Sequence, residues 1–526
     1  MTHVVERKCK MTAQKESLTV RDWARRNPPA AAKAALCIIL QFVAGSALGG
    51  VICFCPLNTG WSIFTLIGGL LAGFLFAALT AFQKLYAIKG PPGKARKWKR
   101  AVIWGSLTLA LSIGILVLIQ LYLAGTIPVP FLGRSAEFNR LCRALELHYP
   151  YFEEKGINWN ELEKRYAPRI AAAVDDEAYF KEIRSMLAEL NDAHTSLVAP
   201  SLKELYMLGL VRKIGESAIL IRVREDIHAP GLERGAVITG RDGMTVAEYL
   251  ATLEPWQIYG STDRQRLEKG YGSLMTVAAG ETIELSYLDA GRNSRRVQLT
   301  GAPAKLPHNS APSPGGAGPL IEGKMLDSGI GYINIPIFSS RGKDLVGEFD
   351  RALDALMEAP ALILDLRLNG GGSTANSDRI AGRFFEEPFA YGTEYYTVPL
   401  PLRGWTRTYR YRVAPRGEYY AGHVVLLTDV FTMSTAENFV AAMKDSRRAM
   451  LVGRSTAGSS GNPVRFNFNG GYARYSTGDF RRNDGRPIEG IGFRPHIMVE
   501  WTVEDVINGR DPDIAAAENY LLDQIR

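Results

Sequence analysis

The spacing of apolar residues changes several times along the chain. Three stretches, 34–55, 61–82 and 101–127, are predominantly apolar and contain no charged residue. About 20 such residues span a bilayer core, so three membrane-crossing helices are predicted there. Beyond a linker at 128–133, apolar positions at helical spacing predict helices over 137–145, 159–174 and 176–190, the last ending at Asn191-Asp192. From about 202 to 300 the pattern shifts to short β-like runs, including 218–223 and 283–288, punctuated by glycine. A Pro, Gly and Ser-rich joint at 303–318 follows. From Gly331 onward strands (331–338, 361–366, 423–427) alternate with helices (345–357, 375–385, 436–445). That alternation predicts an α/β core with parallel strands.

Charge sharpens the first part of this picture. The formal net charge is +8, and much of the excess sits in 1–33 and 83–100, flanking the apolar stretches. Basic flanks stay on the cytoplasmic side, which favours a membrane over nucleic acid as the reason for the charge. The expected layout is a cytoplasmic segment 1–33, three transmembrane helices within 34–127 joined by the basic loop 83–100, and everything after Pro128 carried outside. The expected localisation is therefore a multi-pass protein of the cell membrane with its larger part periplasmic or extracellular. Of the 5 cysteines, only Cys142 falls in that larger part, so no disulfide is available within it. Three further domains are expected: 128–200 helical, 201–302 β-rich, and 303–526 α/β. No metal-ligand cluster is found among the 7 histidines, and Asn369-Gly370-Gly371-Gly372-Ser373 lacks the ending of a phosphate loop, so no cofactor is expected.

The segment 427–437 reads as a strand turning into a helix, with Ser434 at the helix start. Free backbone N–H groups and the helix dipole there favour developing negative charge, a suitable place for an acyl-transfer nucleophile. The competing reading is a capping box, Ser434-x-x-Glu437, in which both side chains only satisfy backbone donors. The glycines at 370–372 can serve a tight turn at positive φ.

Five motifs occur in order: 190–197 around Asp192-Ala193-His194-Thr195, the phrase 231–240 followed by 246–250, the run 363–372, the Ser434 turn, and 444–449. Together, over roughly 138 to 520, they resemble the C-terminal processing (tail-specific) serine peptidase family. The resemblance implies a mixed α+β peptidase core of ClpP/crotonase-like type, a helical subdomain carrying His194, and a PDZ-like β-rich domain; with the three transmembrane helices this is the expected fold class. PDZ-like domains bind peptides by adding a strand to a sheet edge; here the match is loosened by an insert around 259–271. The resemblance also implies that Ser434 is the nucleophile.

Many members pair the serine with a lysine about 25 residues on. Here that place reads Gly453-Arg454-Ser455-Thr456-Ala457-Gly458-Ser459-Ser460-Gly461, without lysine. Lys444 is a poor substitute, since ten residues of helix rise about 15 Å. The chain resembles instead the branch containing tricorn protease, which uses a histidine and a glutamate. By that resemblance His194 is the general base and Glu489 orients it, with Asp192 or Glu437 as alternatives. The oxyanion donors map to Gly371, with Gly370 or Gly372 one residue either side, and Thr435. The expected partners are protein or peptide substrates, C-terminal tails among them, with the membrane, a homo-oligomer and no nucleic acid. An inactive binding or carrier protein on the same fold is the competing function.

Overall fold

The computed structural model describes residues 133–303, 320–340, 342–397 and 406–526. Among them no helix is long and apolar enough to cross a membrane. The longest, Arg134–His148, has 15 residues, about 22 Å of rise against roughly 30 Å of hydrocarbon, and it carries charges throughout. This corrects the expected fold class and localisation: the described architecture has no transmembrane part, and a multi-pass membrane location is not supported. The stretches 34–55, 61–82 and 101–127 on which that expectation rested lie outside the described residues.

Helices Arg134–His148, Trp159–Ala171 and Asp176–Ala188 form the first layer. Asn158 and Asp175 cap the second and third by accepting from Glu161 N and Ala178 N. Their apolar faces, including Phe138, Leu145, Tyr166, Phe180 and Leu187, close over Phe466, Phe468 and Tyr475. Those three aromatics come from strands Val464–Phe468 and Gly471–Tyr475, which join Ser196–Val198 in a small antiparallel sheet. Two regions remote in sequence thus share one core.

Strands Gly209–Ile214, Ser217–Val223, Val237–Arg241, Thr282–Leu288 and Ser294–Thr300 pair antiparallel in that order around Leu208, Val211, Leu220, Leu285 and Tyr287. Helices Val246–Ala251, Pro255–Ile258 and Asp263–Ser273 are inserted before Thr276–Ala278.

The third part holds a six-stranded sheet ordered Glu322–Met325, Gly331–Asn334, Ala361–Asp365, His423–Thr428, Met450–Gly453, Ile497–Met498. All pairings after the first are parallel. Strand Ala361–Asp365 is buried at every position, as a sheet covered on both faces requires. Helices Leu345–Asp354, Thr374–Ala381 and Thr435–Asp445 cover one face, and Pro512–Ile525 covers the other. The strand expected over 331–338 ends at Asn334, because Pro336 has no N–H for the ladder. The loops leaving the carboxyl ends of Ala361–Asp365, His423–Thr428 and Met450–Gly453 emerge side by side, where open α/β sheets place their sites.

Candidate active site

Ser434 occupies the turn between strand His423–Thr428 and helix Thr435–Asp445 with φ 59° and ψ −128°. A side chain at positive φ is strained, and such strain is held only where the surroundings impose it. Here Ser434 N donates to Ser459 O at 2.9 Å and Met433 N donates to Asn369 O at 3.0 Å. Below the turn, buried Asp429 accepts from Phe431 N and Leu368 N at 3.0 Å and pairs with Arg212 at 2.6 Å. Ser434 makes no side-chain cap bond, so the capping-box reading fails. Glu437 points instead into the loop after Gly453, accepting from Thr456 Oγ1 (2.5 Å), Gly458 N and Ser459 N (both 2.8 Å).

The loop after helix Asp176–Ala188 brings in His194. Buried Asp192 shapes it, accepting from His194 N and Thr195 Oγ1 at 2.8 Å. His194 Nδ1 lies 2.9 Å from Ser459 Oγ. One residue therefore meets both halves of the candidate pair: the Ser459 carbonyl takes the Ser434 amide and its hydroxyl takes the His194 ring. Burial lowers the imidazole to about 4, Arg474, Lys155 and Lys269 pushing it further down while Asp192 opposes them.

None of the three candidate acids takes that ring nitrogen. Both Asp192 oxygens serve the histidine loop itself. Glu437 serves 456–459. Glu489 accepts from Lys155 Nζ at 2.6 Å and from Ser460 N at 2.8 Å, one residue beyond Ser459. Burial beside Asp192 pushes the Glu489 carboxyl up to about 8, with Lys155 and the Ser460 amide pulling back. Burial likewise pushes Glu437 up to about 7. The acids therefore surround the loop that holds the ring, and Ser459 is the ring's direct partner.

The glycine turn lies against the nucleophile. A β-carbon added to Gly371, whose φ is +91°, would meet Ser434 Cβ at 2.8 Å and Thr435 N at 2.9 Å. Thr435 Oγ1 donates to Gly372 O at 2.8 Å, tying the turn to the helix start. The Gly371 amide donates to Asn369 Oδ1 at 2.8 Å, so an oxyanion there has to share or displace that bond. Gly370 and Gly372 flank it on the exposed side. Lys444 Nζ donates to Arg494 O, at the far end of its helix from Ser434.

Sequence reasoning did not assign Ser459, Lys155 or Arg212 to the site. Ser459 lies in the phrase 453–461, which occupies the place of the lysine motif but carries no lysine, and no residue type there marks a histidine partner. Nothing local marks Lys155 or Arg212, whose partners are 334 and 217 residues away.

Residues 329–499 match the family model Peptidase family S41, and residues 134–188 match the Tricorn protease C1 domain. A putative tricorn protease homolog 2 of Streptomyces coelicolor is 25% identical over 415 residues, covering 73% of this chain and 30% of that protein. The tricorn protease of Thermoplasma acidophilum is 26% identical over 200 residues, 38% of this chain and 17% of that protein. A carboxyl-terminal-processing protease of Picosynechococcus sp. is 26% identical over 317 residues, 57% of this chain and 67% of that protein. The aligned part of the chain thus covers 30% or less of the two tricorn relatives. Among solved structures, mature CPAF superposes with a TM-score of 0.60 at 16% identity, covering 73% of this chain and 95% of that one. CPAF complexed with lactacystin gives 0.59 at 16%, covering 74% and 98%. At such identity the likeness speaks for the fold. Taken with the two family matches, these relatives make the described part of the chain similar to the tail-specific, tricorn-like S41 peptidases.

Proposed function

We propose that this chain hydrolyses peptide bonds through an acyl-enzyme on Ser434, with His194 as general base. The observation that carries the reading is the double engagement of Ser459, whose carbonyl holds the Ser434 amide while its hydroxyl holds His194 Nδ1. With Nδ1 occupied, Nε2 is the nitrogen left to take the Ser434 proton. The ring must then carry its hydrogen on Nδ1 and donate it to Ser459 Oγ. Burial keeps the imidazole neutral at pH 7, the form a base requires.

Ser434 Oγ attacks the scissile carbonyl as its proton passes to His194. The tetrahedral oxyanion forms beside the Thr435 amide at the helix start and the amides of 370–372, where fixed donors and the helix dipole stabilise it. Imidazolium then protonates the leaving amine. Water, activated by the same ring, hydrolyses the acyl-enzyme. Glu489, Asp192 and Glu437 support this indirectly, by fixing the backbone at 458–460 and 194. The substrates are proposed to be extended protein or peptide segments, C-terminal tails included, a reading supported by the carboxyl-terminal-processing relative and by the PDZ-like pattern of the β-rich domain.

The test is hydrolysis of an unfolded protein such as reduced casein, with Ser434→Ala as control. Cleavage abolished by that substitution is expected. Cleavage that persists in Ser434→Ala would move the chemistry elsewhere.

A further inference from the structure

The β-rich domain contributes to the site through its helical insert. Ser261, Thr262 and Gln265 are 7%, 6% and 1% exposed, unusually buried for polar residues in an inserted segment. Each has an identifiable partner. Ser261 Oγ accepts from Ala193 N, next to His194, at 3.1 Å. Thr262 Oγ1 donates to Ala457 O at 2.8 Å and also caps helix Asp263–Ser273 by accepting from Gln265 N. The Arg264 guanidinium donates to Thr456 O at 2.7 Å and to Ile491 O at 2.6 Å. Gln265 accepts from Ser261 N at 2.9 Å, which fixes the shape of the segment itself. The insert is also tied to helix Asp176–Ala188, whose Arg184 guanidinium stacks on Trp256 at 3.5 Å, and within the insert Lys269 lies over Tyr259 at 3.9 Å while donating to its carbonyl.

Apart from the Arg264–Ile491 bond, the bonds leaving the segment 261–264 converge on the backbone of two loops. One carries His194. The other, 454–461, carries Ser459, which engages both Ser434 and His194. Glu437 holds the second loop from within the α/β domain, and the insert holds it from outside. Gly458, at φ +70°, marks how closely they approach: a β-carbon there would lie 2.8 Å from Thr262 Cγ2 and 2.9 Å from Gly492 N.

We propose that residues 261–264 are a positioning clamp for the peptidase reaction: Ser261 sets the histidine loop, and Thr262 and Arg264 set the loop of Ser459, which together hold the Ser434–His194 pair in line. The residues act through backbone carbonyls and amides and do not touch substrate. The inference rests on the site proposed above and adds that its geometry is completed from a neighbouring domain.

The test uses the full chain and a rhodamine-linked fluorophosphonate, with the maximal labelling rate and the half-saturating concentration measured separately between pH 4 and 8. Arg264→Ala is expected to lower the maximal rate at least tenfold with little change in half-saturation. Arg264→Lys, able to keep one of the two bonds, should recover part of the loss. In Arg264→Ala the acid limb should also move upward, because a loosened loop admits water to His194. Thr262→Val and Ser261→Ala should show smaller effects of the same kind, and they decide the matter should Arg264→Ala fail to fold. Folded variants that keep the wild-type rate and acid limb would overturn the clamp while leaving the site intact. A folded wild type that takes no label would instead overturn the site itself.

Discussion

Ser459 links Ser434 to His194 without being nucleophile, base or acid. Replacing it by alanine leaves its carbonyl on Ser434 N but removes the partner of His194 Nδ1. Ser459→Ala should therefore slow acylation by roughly 10- to 100-fold in a folded protein, below the about 10²–10⁴-fold worth of a whole general base; rapid-quench labelling with a fluorophosphonate measures it, and an unchanged rate would remove Ser459 from the site. The ring also dictates a pH profile. Asp192, Arg474, Lys155 and Lys269 face it, but burial dominates and lowers it to about 4. Acylation should hold as pH falls through about 6.5, the ordinary imidazole value, and fail only near 4; a limb at the ordinary value would show the ring solvated. The same shift bears on stability. Between those two values the unfolded chain binds a proton that the fold excludes, so this contribution is present above the ordinary value and is lost as pH falls toward 4.

The strand, turn and helix around Ser434 were readable because a buried strand, a polar turn and an apolar helical face follow one another within a few residues. So were the glycine turn and the histidine loop, whose motifs are contiguous. The arrangement of 454–461 was not, because its role depends on a carbonyl, a hydroxyl and an amide meeting three separate elements. Nor was the placement of strands Val464–Phe468 and Gly471–Tyr475 against the N-terminal helices, which depends on which apolar faces meet in space. Gly371 joins the glycine turn closely to the nucleophile turn. Gly371→Ala puts a methyl group 2.8 Å from Ser434 Cβ on a backbone at φ +91°. It should cost about 1–3 kcal/mol of stability and abolish labelling in protein that still folds, as read by chemical denaturation beside the labelling assay; a fully active variant would mean that the turn yields freely.

At the scale of the molecule, the three described parts meet through buried polar groups rather than apolar surface alone. Arg212 from the β-rich domain pairs with Asp429, whose side chain is 1% exposed and which also holds the amides of Leu368 and Phe431. Removing the cation strands a buried carboxylate, so Arg212→Ala should destabilise by about 3–5 kcal/mol; a shift under 1 kcal/mol in urea unfolding would show the pair to be solvated. The N-terminal apolar stretches suggested an anchor from hydropathy alone, whereas the described helices are short and amphipathic around a mixed α/β sheet, and the peptidase reading does not depend on a membrane. That reading is tested most directly by mass spectrometry of the protein after reaction with a fluorophosphonate. The account predicts one adduct, localised to Ser434, absent in Ser434→Ala and formed at least 100-fold more slowly in His194→Ala. A folded wild type with no adduct, or one whose adduct forms equally fast without His194, would contradict it.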